Sequence, residues 1–111
     1  MKSLHLLAVA AAAIAFTGFA QAAPDADAAQ KLAKDSGCMK CHAVDKSKKG
    51  PSFQKTAAKL KGKPDAEAKV TEMITKDKKV KFEDGSEEDH GQVKTKDAAQ
   101  VKNLAEWILS Q

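Results

Sequence analysis

Cys38-Met39-Lys40-Cys41-His42 holds both cysteines of the chain, and a histidine directly follows the second. This C-x-x-C-H spacing is the one that covalent attachment of a c-type haem uses. Two thiols on one short turn can each add to a vinyl group of the same porphyrin, forming two thioethers, and the adjacent imidazole is then held under the iron. Two plainer uses of a cysteine pair compete with this reading. A redox-active disulfide of the thioredoxin kind needs a strand before the pair and a helix after it, whereas the approach to Cys38 has helical periodicity. A structural zinc site needs four ligands. Beyond the N-terminal segment the chain has only Cys38, Cys41, His42 and His90 of the cysteine and histidine types, and His42 is too close to Cys41 for finger spacing. Haem attachment is the favoured chemistry.

The N-terminus supplies a compartment that suits it. Lys2 precedes an unbroken apolar run of eleven residues, Leu6 to Phe16, and Ala20-Gln21-Ala22 has the small-x-small form of a cleavage site. Residues 1–22 therefore read as a cleaved secretory signal peptide. An uncleaved anchor is the alternative, but the run falls short of the roughly eighteen apolar residues of a membrane span. Cleavage after Ala22 leaves residues 23–111, a single domain of 89 residues, in an oxidising periplasm.

A chain of that size has a marginal core and often depends on a metal, a disulfide or a cofactor. Here the expected mature part has only Phe53, Phe82 and Trp107 as aromatics, and no tyrosine. A flat apolar macrocycle bonded at Cys38 and Cys41 would supply the missing interior, so the haem-free chain is expected to be largely unfolded. Charge is divided along the sequence. Lys31 to Lys81 carries fifteen lysines against six acids, and Phe82 to His90 carries five acids and no lysine. Such polarity can orient an encounter with an acidic partner, or simply keep the surface solvated. Nucleic acid is not an expected partner: arginine is absent and no aromatics interleave with the lysines.

The elements that must position the motif read as helices. Ala26, Ala29, Leu32, Ala33 and Ser36 fall at helical spacing behind Asp25 and Asp27, and lead into Gly37. A short helix is expected from Phe53 to Leu60, between the Gly50-Pro51 and Gly62-Lys63-Pro64 breaks. Pro64-Asp65 opens another, with Ala66, Val70, Met73 and Ile74 on one face. Thr95 is the expected cap of the last helix, in which Val101, Leu104, Ala105 and Ile108 form the apolar stripe and Trp107 sits at its edge. Lys81 to Lys94 reads as loop, and no segment alternates like a strand. The fold class is all-α.

With CMKCH, Gly50-Pro51-Ser52-Phe53 and the closing Leu104-Ala105-Glu106-Trp107-Ile108-Leu109-Ser110-Gln111 in view, the stretch from Ala26 to Gln111 resembles the small bacterial class I cytochromes c. The resemblance implies three main helices and a short one around one covalently bound haem, with the first and last helices crossing near the motif. It implies thioether bonds at Cys38 and Cys41, His42 as proximal iron ligand, and the Pro51 carbonyl as acceptor for the proximal imidazole N–H. Such a bond orients the ring and raises its basicity.

One departure from the family pattern matters. The family's distal ligand is normally a methionine followed by proline in the loop before the last helix. Here that loop reads Glu87-Glu88-Asp89-His90-Gly91-Gln92, and Met-Pro occurs nowhere. His90 stands in the expected place, so the iron is expected to have the bis-histidine pair His42 and His90. Met73, on a helix face with Val70 and Ile74, is the rival and reads as core; Met39 is enclosed by the attachment loop. Imidazole in place of thioether lowers the reduction potential, and the acids from Glu83 to Asp89 would push the same way if close.

The function implied is electron transfer by a periplasmic monohaem protein, with no catalytic residues and no membrane span after cleavage. A monomer is expected, meeting redox partner proteins through Lys40, Lys46, Lys48, Lys49 and Lys55, toward acidic docking surfaces. The alternative is a haem-based sensor or gas-binding protein in which His90 is absent from the iron. A peroxidase-like haem has little support, because there is no arginine to assist peroxide cleavage.

Overall fold

Alanine governs how the first and last helices meet. The computed structural model describes residues 22–111, so the signal peptide read from residues 1–22 lies, but for Ala22, outside the described residues. Helix α1, Ala26–Asp35, is started by the Asp25 carboxylate, which accepts from the Ala28 N–H, with Asp27 in the first turn and Lys34 in the last. This charge order complements the helix dipole. Its inner face presents Ala29 and Ala33, 1% and 0% exposed, in one core cluster with Leu104 and Ala105 of helix α4, Ala98–Leu109. Small side chains let the two backbones approach closely, and full burial of Leu104 contributes about 1.5–3 kcal/mol. Asn103 clasps the crossing: its Oδ1 accepts from the Asp25 N–H at 2.8 Å and its Nδ2 donates to the Asp25 carbonyl at 2.9 Å.

Helix α2 runs Phe53–Leu60, as its flanking breaks predict, and is capped by Ser52, whose hydroxyl accepts from the Lys55 N–H. Helix α3, Ala66–Thr75, buries Val70 and Ile74. Met73 between them is only half-buried, so the expectation that it is core holds less well for it than for its neighbours. Both helices pack on α4. Two features of α4 differ from the sequence reading. Its cap is Asp97, whose carboxylate accepts from the Ala99 and Gln100 N–H groups; Thr95 instead accepts from the Asp97 N–H and donates to Gln100. Trp107 is buried at 5% exposure, not at the edge of the stripe, because Phe53 meets it edge-on, with ring centres 5.6 Å apart.

A small antiparallel hairpin begins two residues before the segment read as loop, Lys81 to Lys94, and runs into it. Strand β1, Lys79–Lys81, pairs with strand β2, Glu87–Asp89, with Lys79 opposite Asp89, Val80 opposite Glu88 and Lys81 opposite Glu87. Each lysine of β1 faces an acid of β2, the arrangement that stabilises cross-strand neighbours. Gly85 turns the chain at φ +85°, and Asp84 accepts from the Ser86 N–H. The architecture is otherwise four helices, and the class remains mostly helical.

Candidate functional site

Cys38 opens a 3-10 turn, Cys38–Lys40, entered through Gly37 at φ +77°, and Cys41 caps its end. That left-handed entry ends α1 and reverses the chain at once, a conformation glycine adopts without steric cost. The Cys38 carbonyl accepts from both the Cys41 and His42 N–H groups, which draws the two thiols and the imidazole into one turn. Cys38 and Cys41 are not joined to each other as a disulfide, and burial pushes the Cys38 thiol up from its ordinary pKa. A pair that follows a helix on a 3-10 turn lacks the strand-then-helix setting of a thioredoxin-like disulfide.

The loop from Ala43 to Ser52 folds back over His42 and fixes it on three sides. His42 Nδ1 lies 2.7 Å from the Pro51 carbonyl oxygen. A carbonyl only accepts, so Nδ1 carries the proton and Nε2 keeps its lone pair. The Gly50 N–H donates to the Cys41 carbonyl, and Gly50 lies so close to the imidazole that a Cβ there would fall 2.4 Å from Cε1. Phe53 stacks against the ring at 5.4 Å and 22°. Through Phe53 the imidazole rests on Trp107, and thus on the core.

His90 follows directly on β2. Its N–H donates to the Lys78 carbonyl at 2.7 Å, which sets the residue at the open end of the hairpin. Its ring centre lies 6.1 Å from that of His42, with the planes tilted by 55°. Two metal–imidazole bonds of about 2 Å each, added to the reach from each nitrogen to its ring centre, would need about this separation, so the two rings could hold one metal between them. His90 Nδ1 is buried without a hydrogen-bond partner, a costly state for a polar atom in the protein alone. Among the described residues no three of His, Cys, Asp and Glu converge as a metal-holding group. Two imidazoles at this spacing would leave a metal's remaining bonds to a macrocycle, and the Cys38 and Cys41 turn beside His42 could tether one. The residues present fit a haem.

The hairpin is the part of the site that periodicity missed. Its signal was the Asp84-Gly85 pair between a lysine-rich and an acidic triplet, since Asp-Gly is a strong turn dipeptide. Pairing also changes the charge pattern: Lys79 meets Asp89 at 2.8 Å and Lys49 meets Glu88 at 3.0 Å, so basic and acidic stretches fold onto one another.

Four helices closed around a C-x-x-C-H turn, with a second histidine facing the first, define a covalent haem protein of the c type. The family model for cytochrome c matches residues 26–111, and the chain belongs to the cytochrome c family. Its members are electron-transfer proteins that bind one haem c covalently, and Cys38 and Cys41 fit the attachment pattern. The chain is 33% identical over 84 residues to cytochrome c-551 of Pseudomonas aeruginosa, an alignment covering 72% of this chain and 73% of the relative. It is 36% identical over 85 residues to cytochrome c-552 of Hydrogenobacter thermophilus, covering 73% and 79%. Among solved structures, the class 1 cytochrome MtoD from Sideroxydans lithotrophicus ES-1 superposes with a TM-score of 0.74 at 51% identity, covering 79% of this chain and 97% of that one. Nitrosomonas europaea cytochrome c552 superposes with a TM-score of 0.57 at 30% identity, covering 73% and 96%.

Proposed function

We propose that residues 23–111 act as a periplasmic electron carrier whose haem is held at Cys38 and Cys41 and ligated by His42 on one face and His90 on the other. Export through a signal peptide at residues 1–22 is part of the same reading. The observation that carries the ligation is the 6.1 Å between the two ring centres, supported by the unpartnered Nδ1 of His90. Haem iron supplies reversible one-electron exchange between ferric and ferrous states. The chain does the rest. Pro51 holds the His42 proton on Nδ1 and makes the imidazole a stronger donor. Phe53 and Gly50 fix the ring plane, and His90 fills the position a substrate or gas would need, which favours a carrier over a sensor.

The ligand pair sets the direction of the potential. A methionine thioether raises a haem potential, so imidazole in its place gives a value below that of Met-ligated relatives. The acids of the hairpin add less than their number suggests, because Lys49 and Lys79 sit against Glu88 and Asp89. Docking falls to fewer lysines than the sequence offers. Lys48 donates to the Met39 carbonyl and Lys49 is paired, while Lys40, Lys46 and Lys55 are exposed and in no ion pair among the described residues. These three suit an acidic redox partner, with association that salt slows.

Near-infrared and EPR spectra of the ferric, haem-loaded protein test the ligation. A low-spin bis-imidazole signature is expected; a methionine-to-iron charge-transfer band or a high-spin signal overturns it. His90→Met is expected to raise the potential in a redox titration.

A further inference from the structure

The two histidines are held very differently. His42 has a hydrogen bond from its ring, a stacked phenylalanine and a glycine pressed against it. Among the described residues no hydrogen bond holds the ring of His90, so its place depends on the hairpin that carries it. That hairpin is exposed along most of its length. It is tied to α3 at its base, where Lys78 donates to Glu72, and by the Val93 N–H, which donates to the Ile74 carbonyl at 2.8 Å. Neither tie involves the loop that embraces His42.

Across the gap between that loop and the hairpin, one side chain reaches over. Lys49 Nζ lies 3.0 Å from Glu88 Oε1 and 5.4 Å from the centre of the Phe82 ring, so it engages β2 and the residue after β1 together. The backbone on either side of it is pinned. The Lys48 N–H donates to the Gly50 carbonyl, and the Gly50 N–H donates to the Cys41 carbonyl. Among the described residues this is the one side-chain hydrogen bond between the 43–52 loop and the hairpin. Glu88 is two residues from His90, and Lys49 adjoins the glycine that packs on His42. The contact therefore links the support of one imidazole to the support of the other.

We propose that Lys49 is a positioning residue that latches the distal hairpin to the proximal loop and so restrains His90 from leaving the iron. This rests on the ligation proposed above. The latch is a half-exposed ion pair reinforced by a cation–π contact, with side-chain exposures of 58% and 52%. Such a pair adds little to global stability, yet it acts directly on a hairpin with few other ties. Its effect belongs in how often the hairpin opens, and it weakens with salt.

The test is stopped-flow binding of cyanide to the ferric, haem-loaded protein under conditions where opening limits the rate. Lys49→Gln is expected to bind cyanide about two- to fivefold faster than wild type at low salt, with its melting temperature little changed. Glu88→Gln should match it, and Lys49→Arg, which keeps both contacts, should bind at the wild-type rate. Raising the salt should bring wild type toward Lys49→Gln while leaving the variant nearly still. Equal rates for wild type and Lys49→Gln at both salt concentrations overturn the latch. His90→Ala separates the two ideas: an unchanged ferric spectrum in that variant removes the ligation reading and the latch with it. A changed spectrum together with equal Lys49→Gln rates removes the latch alone.

Discussion

Gly50→Ala is a one-carbon perturbation aimed at the imidazole of His42. The new Cβ would lie 2.4 Å from Cε1, 2.8 Å from Nδ1 and 3.0 Å from Nε2. Ordinary carbon contacts begin near 3.4 Å, so ring and backbone must separate by about 1 Å. The ring has nowhere easy to go, because Phe53 stacks against it and the Pro51 carbonyl holds Nδ1 at 2.7 Å. Overpacking of this kind costs about 1–3 kcal/mol, and loss of the Pro51 bond about 1 kcal/mol more. A domain of this size loses about 4–8 °C of melting temperature per kcal/mol, so a drop of at least about 8 °C is expected in a thermal melt of the haem-loaded protein. The same displacement should alter the ferric EPR signal, since it turns the imidazole that is to face the iron. A variant with a wild-type melt and an unchanged EPR spectrum would refute both the tight packing of Gly50 on His42 and the role given to that ring.

Three further outcomes are expected. Asp97→Ala should cost about 1 kcal/mol in denaturant unfolding through loss of the α4 cap, with Thr95→Ala costing less; the reverse order would restore Thr95 as the cap. A Cys38→Ser, Cys41→Ser double variant prepared without haem should show no cooperative melt, and a sharp transition would contradict the dependence of the core on its cofactor. The carboxyls of Glu72, held low by the Lys78 hydrogen bond, and of Asp84, held low by hydrogen bonds from Ser86, link stability to pH. A depressed folded pKa gives stability that is full above the ordinary carboxylate range and lost as pH falls through the folded value. The urea midpoint should thus be flat above about pH 5 and fall below about pH 4; a midpoint that rises on acidification would reverse the assignment.

Local signals made the helices legible. The Gly-Pro and Gly-Lys-Pro breaks around Phe53–Leu60 bound α2 at its observed ends, and the alanine periodicity before Gly37 gave α1 its buried face. The hairpin escaped because strands of three residues are too short for alternation to register, and because facing charges, not apolar residues, hold them. Thr95 lost the cap to Asp97 by two residues, a distinction that depends on which side chain reaches the first free N–H groups. Trp107 looked peripheral in a helical projection, and only its meeting with Phe53 across α2 and α4 makes it core. His42 and His90 face each other across 48 positions, and only the family resemblance links them in the sequence, since nothing local to either residue announces the other. The approach of Gly50 to His42 had no sequence signal beyond a glycine before a proline.

The supports of the two histidines differ in depth, and this separates two properties that a small protein usually has to trade against each other. His42 is braced through Phe53 and Trp107 by the same residues that close the helical core, so a change there endangers folding itself. His90 stands on a three-residue ladder outside that core, where substitutions change charge, and on the proposed ligation the iron ligand, without opening a cavity. With His90 as the proposed ligand, the hairpin becomes a tuning module: the energy at which the electron is held can be reset there, while the helices that keep the protein folded are left as they are.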